Sequence, residues 1–244
     1  MKLLFMLLAG LLFSDATLAN DLELITTVND TAGGQAYTTP MSTIVLMTLL
    51  ALVPTMFMVM TPFLRIAIVL STLRQAMGLN NVPTNKVLAA LSMVVTVFIM
   101  SPVFEVIHIS AIKPFLDGTM QLEEALVTGV EPLKQFMLNH ANKEHVERFL
   151  EMSGREFTSK DEIPLSVVTT SFITSEIQTA LKIGFLIYLP FVLIDLLVAT
   201  TLMSLGLMMM SPMIIAIPIK IMLFVLVDGW MLTVDSLAKS FFMG

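Results

Sequence analysis

Residues 174–212 read TSEIQTALKIGFLIYLPFVLIDLLVATTLMSLGLMMMSP. From Gly184 to Leu205 the stretch is almost wholly apolar, interrupted by Pro190 and Asp195. A run of about 20 apolar residues matches the thickness of a bilayer core. The segment Gly206–Pro212 then makes a tight connector, and residues 213–234 form a further apolar run holding Pro218, Lys220 and Asp228. Two apolar runs joined by a short connector read as a helical hairpin, with ionisable residues inside it that must face protein, water or one another.

Working outward, the polar patch Ser175-Glu176 lies on a helix that starts near Pro164. Residues 108–183 carry seven bases and eleven acids. Within them QLEEALVTGVEPLKQFMLNH and NKEHVERFLEM have amphipathic periodicity, placing Leu133, Phe136 and Met137 on one face and Val146, Phe149 and Leu150 on another. Further towards the start, residues 41–60 are uncharged and of spanning length, with Pro54 inside. A helical continuation begins at Thr61-Pro62 and ends at Gly78, a natural C-cap. Pro83 suits the start of the next helix, whose apolar run 87–107 is interrupted by Ser101-Pro102. These runs predict an all-α, membrane-associated chain of helical hairpins around an amphipathic periplasmic insert, built for oligomeric assembly. The expected segments are 1–19, 20–40, 41–107, 108–183 and 184–244.

The first of those segments reads as a cleaved secretory signal: Met1-Lys2, an apolar run from Leu3 to Phe13, and Thr17-Leu18-Ala19 before the polar Asn20-Asp21. Residues 20–40, with Gly33-Gly34, read as a flexible lead-in. Residues 61–86 contain Arg65, Arg74 and Lys86 and no acid, which places that stretch at the cytoplasmic face. The mature N-terminus, the 108–183 segment and the C-terminus are then periplasmic.

Composition agrees with a membrane location. The chain has 244 residues, 56% of them hydrophobic and 13% charged, against about 25% charge in a soluble domain. Its mean hydropathy is +0.89. A net charge of -6 argues against nucleic-acid binding, and the absence of cysteine removes disulfides and thiolate chemistry. No nucleophile motif or phosphate loop occurs. The run His140 to His145 has one residue too many for an H-x-x-E-H zinc pattern. The sequence therefore predicts no enzyme, cofactor or metal.

The ionisable residues in the apolar runs carry the sharpest expectations. A hairpin turning at about residue 209 sets Asp195 about 4.5 Å along the axis from Lys220, at about 1.5 Å per residue. The same arithmetic sets Asp235 next to Lys182. Asp228 has no local partner and is expected to meet Arg65 or Arg74, within or between chains. Each group either pairs within the hairpin or faces water or another subunit. Asp195, Lys220 and Asp228 fit either a proton relay or structural ion pairs. Glu176 fits either a subunit contact or a solvated helix face.

Methionine is the unusual residue. Five of the 21 methionines fall between Met203 and Met213. Met208, Met209 and Met210 sit at a turn where polar residues are normal. Flexible thioethers there either close a narrow hole around varied passengers or pack a buried turn.

Four blocks carry a family resemblance: TPFLRIAIVLSTLRQAMG (61–78), FIMSPVFEVI (98–107), the opening stretch 174–212, and KIMLFVLVDGW (220–230). Together they resemble the FliP family, the flagellar export-gate proteins of type III secretion. The resemblance implies an all-helical subunit, five copies of which assemble with FliQ and FliR in the basal body, beside FlhB and FlhA. Unfolded flagellar proteins pass through the centre. It implies that Met208, Met209 and Met210 form a gasket around the passenger and that Glu176 contacts another copy. It also implies that the apolar runs are held largely in protein, with lipid a secondary contact. The alternatives are an injectisome export-gate subunit, a proton-coupled small-molecule transporter, or a passive scaffold.

Overall fold

The computed structural model describes residues 26–29, 35–38, 41–79, 82–154, 162–207 and 210–242. The signal segment 1–19 therefore lies outside the described residues, as do Met208 and Met209. The chain divides into two compact units at Met56/Phe57.

In the first unit, β1 (Thr26–Asn29) pairs antiparallel with β2 (Gln35–Thr38), in the register Thr26 to Thr38. Part of the lead-in expected to be flexible is thus paired. Helix α1 (Met41–Met60) follows and covers the uncharged run 41–60.

The second unit is helical. Its centre is α2 (Phe63–Ala76), which buries Ile66, Val69, Leu70 and Leu73. That i, i+3, i+4, i+7 pattern is one helical face, yet Arg65 and Arg74 are buried too. The helix is therefore enclosed on more than its apolar side. Gly78, at φ +79°, supplies the left-handed residue that ends it. Helix α3 (Asn85–Ile107) continues through Pro102. Proline cannot donate to the carbonyl of Phe98 four residues back. The Ser101 hydroxyl donates to that carbonyl instead, at 2.8 Å. The interruption expected at Ser101-Pro102 is thereby repaired locally.

A π-helical turn (His108–Ile112) leads to the short α4 (Lys113–Leu116). The amphipathic insert forms α5 (Leu122–His140) and α6 (Lys143–Ser153). Asn142 caps α6 by accepting from the Glu144 amide at 3.0 Å.

Helix α7 (Leu165–Ser204) has 40 residues, or about 60 Å of length. It runs unbroken across residues 183 and 184, where the sequence predicts a segment boundary, and through Pro190 and Asp195. At Gly184 an added Cβ would stand 3.1 Å from the Thr72 side chain, so the α7 backbone there lies directly against that side chain of α2. Helix α8 (Pro212–Leu226) opens on Pro212 at its first turn, and α9 (Gly229–Phe242) follows after a 62° bend. Asp228 sits in that bend at φ +51°. By length and composition two of the described helical stretches can cross a membrane, Asn85–Leu116 and Leu165–Ser204, or up to four if each bent pair is one span.

Most buried apolar residues join one cluster, which gathers α2, α3, α5, α7 and α9 around Phe172, Met137 and Leu237. A smaller cluster holds Leu73, Ala76 and Met77 against Phe191 and Phe224.

Candidate functional site

Two polar nodes are built into this apolar framework. The first lies on the early part of α7. Glu176 is fully buried, and its Oε1 is ion-paired with the Arg65 guanidinium of α2. Arg65 also donates to the Ser240 hydroxyl at 3.0 Å and lies 3.9 Å above the Phe241 ring of α9. A buried charge pair recovers its desolvation cost only with such additional partners. Beside it, Ser175 is saturated. Its hydroxyl donates to the Ser171 carbonyl at 2.7 Å, accepts from the Asn142 amide at 2.9 Å and lies 2.9 Å from His145 Nδ1. The dipeptide Ser175-Glu176 therefore joins α2 and α6 to α7, and Arg65 carries the link on to α9.

His140, the last residue of α5, belongs to the same node. Its ring lies 4.3 Å from Phe136 and 5.3 Å from Phe241, centroid to centroid. Nδ1 stands 2.8 Å from the Phe136 carbonyl and Nε2 3.2 Å from that of Phe241.

The second node fixes α8. Lys220 is 5% exposed, and its ammonium donates to Asp195 Oδ2 at 2.6 Å and to the Ala76 carbonyl at 3.1 Å. The last carbonyls of a helix lack intrahelical donors, so Lys220 both completes the end of α2 and holds Asp195. Arg74 serves the neighbouring turn, donating to the Pro83 carbonyl at 2.9 Å and to Asn85 Oδ1 at 2.8 Å.

The remaining sequence-derived pairs are not formed. Asp235 pairs with Lys239 of its own helix at 2.7 Å, and Lys182 is exposed with no ion-pair partner among the described residues. The straight-hairpin arithmetic fails there because the bend at Asp228 turns α9 away from α7. Asp228 is exposed and meets neither Arg65 nor Arg74, which are engaged by Glu176 and by the Pro83–Asn85 turn. Glu176, expected at a subunit contact or on a solvated face, is enclosed within its own chain. Met210 is 46% exposed at the connector. Sequence reasoning missed the Arg65–Glu176 pair and the roles of Ser175, His140 and Phe241. Their one signal was the polar patch Ser175-Glu176 on a helix that also bears Phe172, Ile173 and Ile177.

Beyond the nodes, the later part of α7 and much of α8 present apolar side chains outward. Leu186, Leu193 and Leu197 are 65, 59 and 65% exposed, and Leu226 is 77% exposed.

Comparison with known proteins gives a match to the FliP family model over residues 46–237. The flagellar biosynthetic protein FliP of Pectobacterium carotovorum subsp. carotovorum is 42% identical over 234 residues, covering 96% of this chain and 91% of that protein. The protein of the same name from Bacillus subtilis is 41% identical, over 81% of this chain and 90% of its own length. A Buchnera aphidicola relative of that name is 45% identical over 86% of this chain, which spans only 59% of that longer protein.

Proposed function

We propose, from the premise that the chain belongs to the FliP family, that it is a conduit subunit of the flagellar type III export gate. In this reading it packs against copies of itself, a pentamer by family resemblance, and against FliQ and FliR, with FlhB and FlhA alongside. Unfolded flagellar proteins leave the cytoplasm through the centre of the assembly. The gate belongs to the inner membrane of the flagellar basal body, with the mature N-terminus and the 108–183 segment on the periplasmic side.

The observation that carries the reading is the apolar surface on the later part of α7 and on α8. A contiguous surface of that kind demands cover from protein or lipid. Ordinary transporter sites lie among convergent polar groups near the midplane. The hollow between α7 and α8 is instead lined by Ile194, Leu197, Val198, Thr201, Leu202, Ile215 and Ile219. Asp195 and Lys220 lie in a mutual bond that also ties down the end of α2, which fits a structural pair better than a relay.

Met208, Met209 and Met210 are assigned the gasket role, because soft unbranched side chains can close on passengers of varied shape. Replacing all three by alanine tests this. The gate should still assemble but leak small molecules or fail in export. Normal export with no leak would overturn the gasket.

A further inference from the structure

His140 stands between two backbone carbonyls, and carbonyl oxygens only accept hydrogen bonds. A neutral imidazole carries one N–H and can satisfy one of them. The imidazolium carries two and satisfies both. The two acceptors differ in kind. The Phe136 carbonyl belongs to His140's own helix, α5, whereas that of Phe241 belongs to α9, 101 residues away. Only the second bond ties the two helices together, and at 3.2 Å it is the longer. A single proton on the ring is thus drawn to the local carbonyl, leaving the bond to α9 unmade.

We propose that His140 is a protonation-dependent latch that holds α9 against α5. The charged groups around it are arranged for such a role. From α7, the Glu176 carboxyl faces this cluster, ion-paired with Arg65. From α2, the Arg65 guanidinium opposes charge on His140 but is itself neutralised by Glu176 and spread over the Phe241 ring. From α6, His145 bonds to Ser175, next to Glu176. The charged pair of α9, Asp235–Lys239, is largely exposed, and Lys86 and Glu105 of α3 are at the surface. Protonation closes both bonds and leaves the cation against the tilted rings of Phe136 and Phe241. Loss of the proton opens the bond to α9. The sign follows: α9 is held tightly at lower pH and is released as pH rises.

Hydrogen exchange of the backbone amides in α9 tests the latch, using the full chain in its detergent-extracted complex. It is followed from about pH 5.5 to about pH 8, across the range in which histidine titrates, with correction for intrinsic exchange. Protection over residues 235–242 should fall about fivefold with rising pH, the factor expected for one hydrogen bond. In His140→Gln, whose amide does not titrate, protection should be lower and flat with pH. In His145→Gln the fall should persist. A flat profile in the unsubstituted chain, or the same slope in His140→Gln, overturns the proposal. Should His140→Gln not assemble, the other two chains decide, because a slope that vanishes in His145→Gln assigns the titration to the wrong histidine.

Discussion

The two halves of α7 differ in polarity and have opposite surroundings: residues 165–184 include nine hydrophobic residues in 20, residues 185–204 fifteen. Eight of the ten buried residues of this helix lie at or before Gly184, among them Phe172, Ser175, Glu176 and Ala180. Only Phe191 and Leu202 are buried beyond it. The first half is packed against α2, α5 and α6 of its own chain and carries a buried charge. The second half has Leu186, Leu193 and Leu197 outward. Burial thus runs against hydropathy, because the polar residues of the first half are held within the chain while the more apolar half is the more exposed. Ser175 and Glu176 have partners on other helices of the same chain, whereas the later half is tethered at two points, Asp195 through Lys220 and Phe191 through Phe224. The first half is a lock within the protomer, and the second is a surface for something else.

Arg65→Met should break this contrast most severely. It leaves the Glu176 carboxylate buried without its partner, and destabilisation of about 3–5 kcal/mol is expected. Protease resistance and thermal unfolding of the detergent-solubilised chain would measure it. A loss as small as that of a surface substitution would mean that the first half is not locked through this pair. Next in size is Gly229→Ala. A Cβ at Gly229 would run into the ring of Phe224, which packs edge-on to Trp230 at 5.6 Å between centroids. Overpacking should cost about 1–3 kcal/mol, and near-ultraviolet dichroism of the one tryptophan would report the local rearrangement. Smallest for the fold is Leu197→Ala. The position is 65% exposed, so unfolding of the isolated chain should change by no more than about 0.5 kcal/mol. Recovery of the assembled complex after extraction should drop instead. The reverse pattern, an unstable chain that still assembles fully, would put Leu197 inside the protomer.

Much of the helical framework was legible from the sequence because its determinants are local. Apolar runs, the prolines at helix starts and Gly78 at a helix end act within a few residues. Opposed positions in a hairpin can be counted as long as the hairpin is straight. Asp195 and Lys220 lie in its straight part, while Asp235 lies beyond the 62° bend and finds Lys239 in its own helix. The junction at residue 183 was placed from a change in composition. The backbone has no reason to break there, because Lys182 is compatible with a helix interior and Gly184 serves a close approach to Thr72. Of the first node only the polar patch Ser175-Glu176 was legible. Arg65 and Glu176 are 111 residues apart, and the contact depends on how α2 and α7 pack, which periodicity does not encode. His140 stood out only as the start of a run with one residue too many for a zinc pattern. The structure turns it towards a carbonyl of α9 that any residue at position 241 would have supplied.

The absence of cysteine gives a clean background for the decisive measurement. Single cysteines placed at positions 172, 180, 186, 193 and 197 of α7 can be labelled with a small maleimide, in the isolated chain and in the assembled complex. The division of α7 predicts that 172 and 180 are protected in both states, while 186, 193 and 197 react in the isolated chain and become protected on assembly. Equal labelling of 186, 193 and 197 in the two states would contradict it, since the outward half of α7 would then be no protein contact.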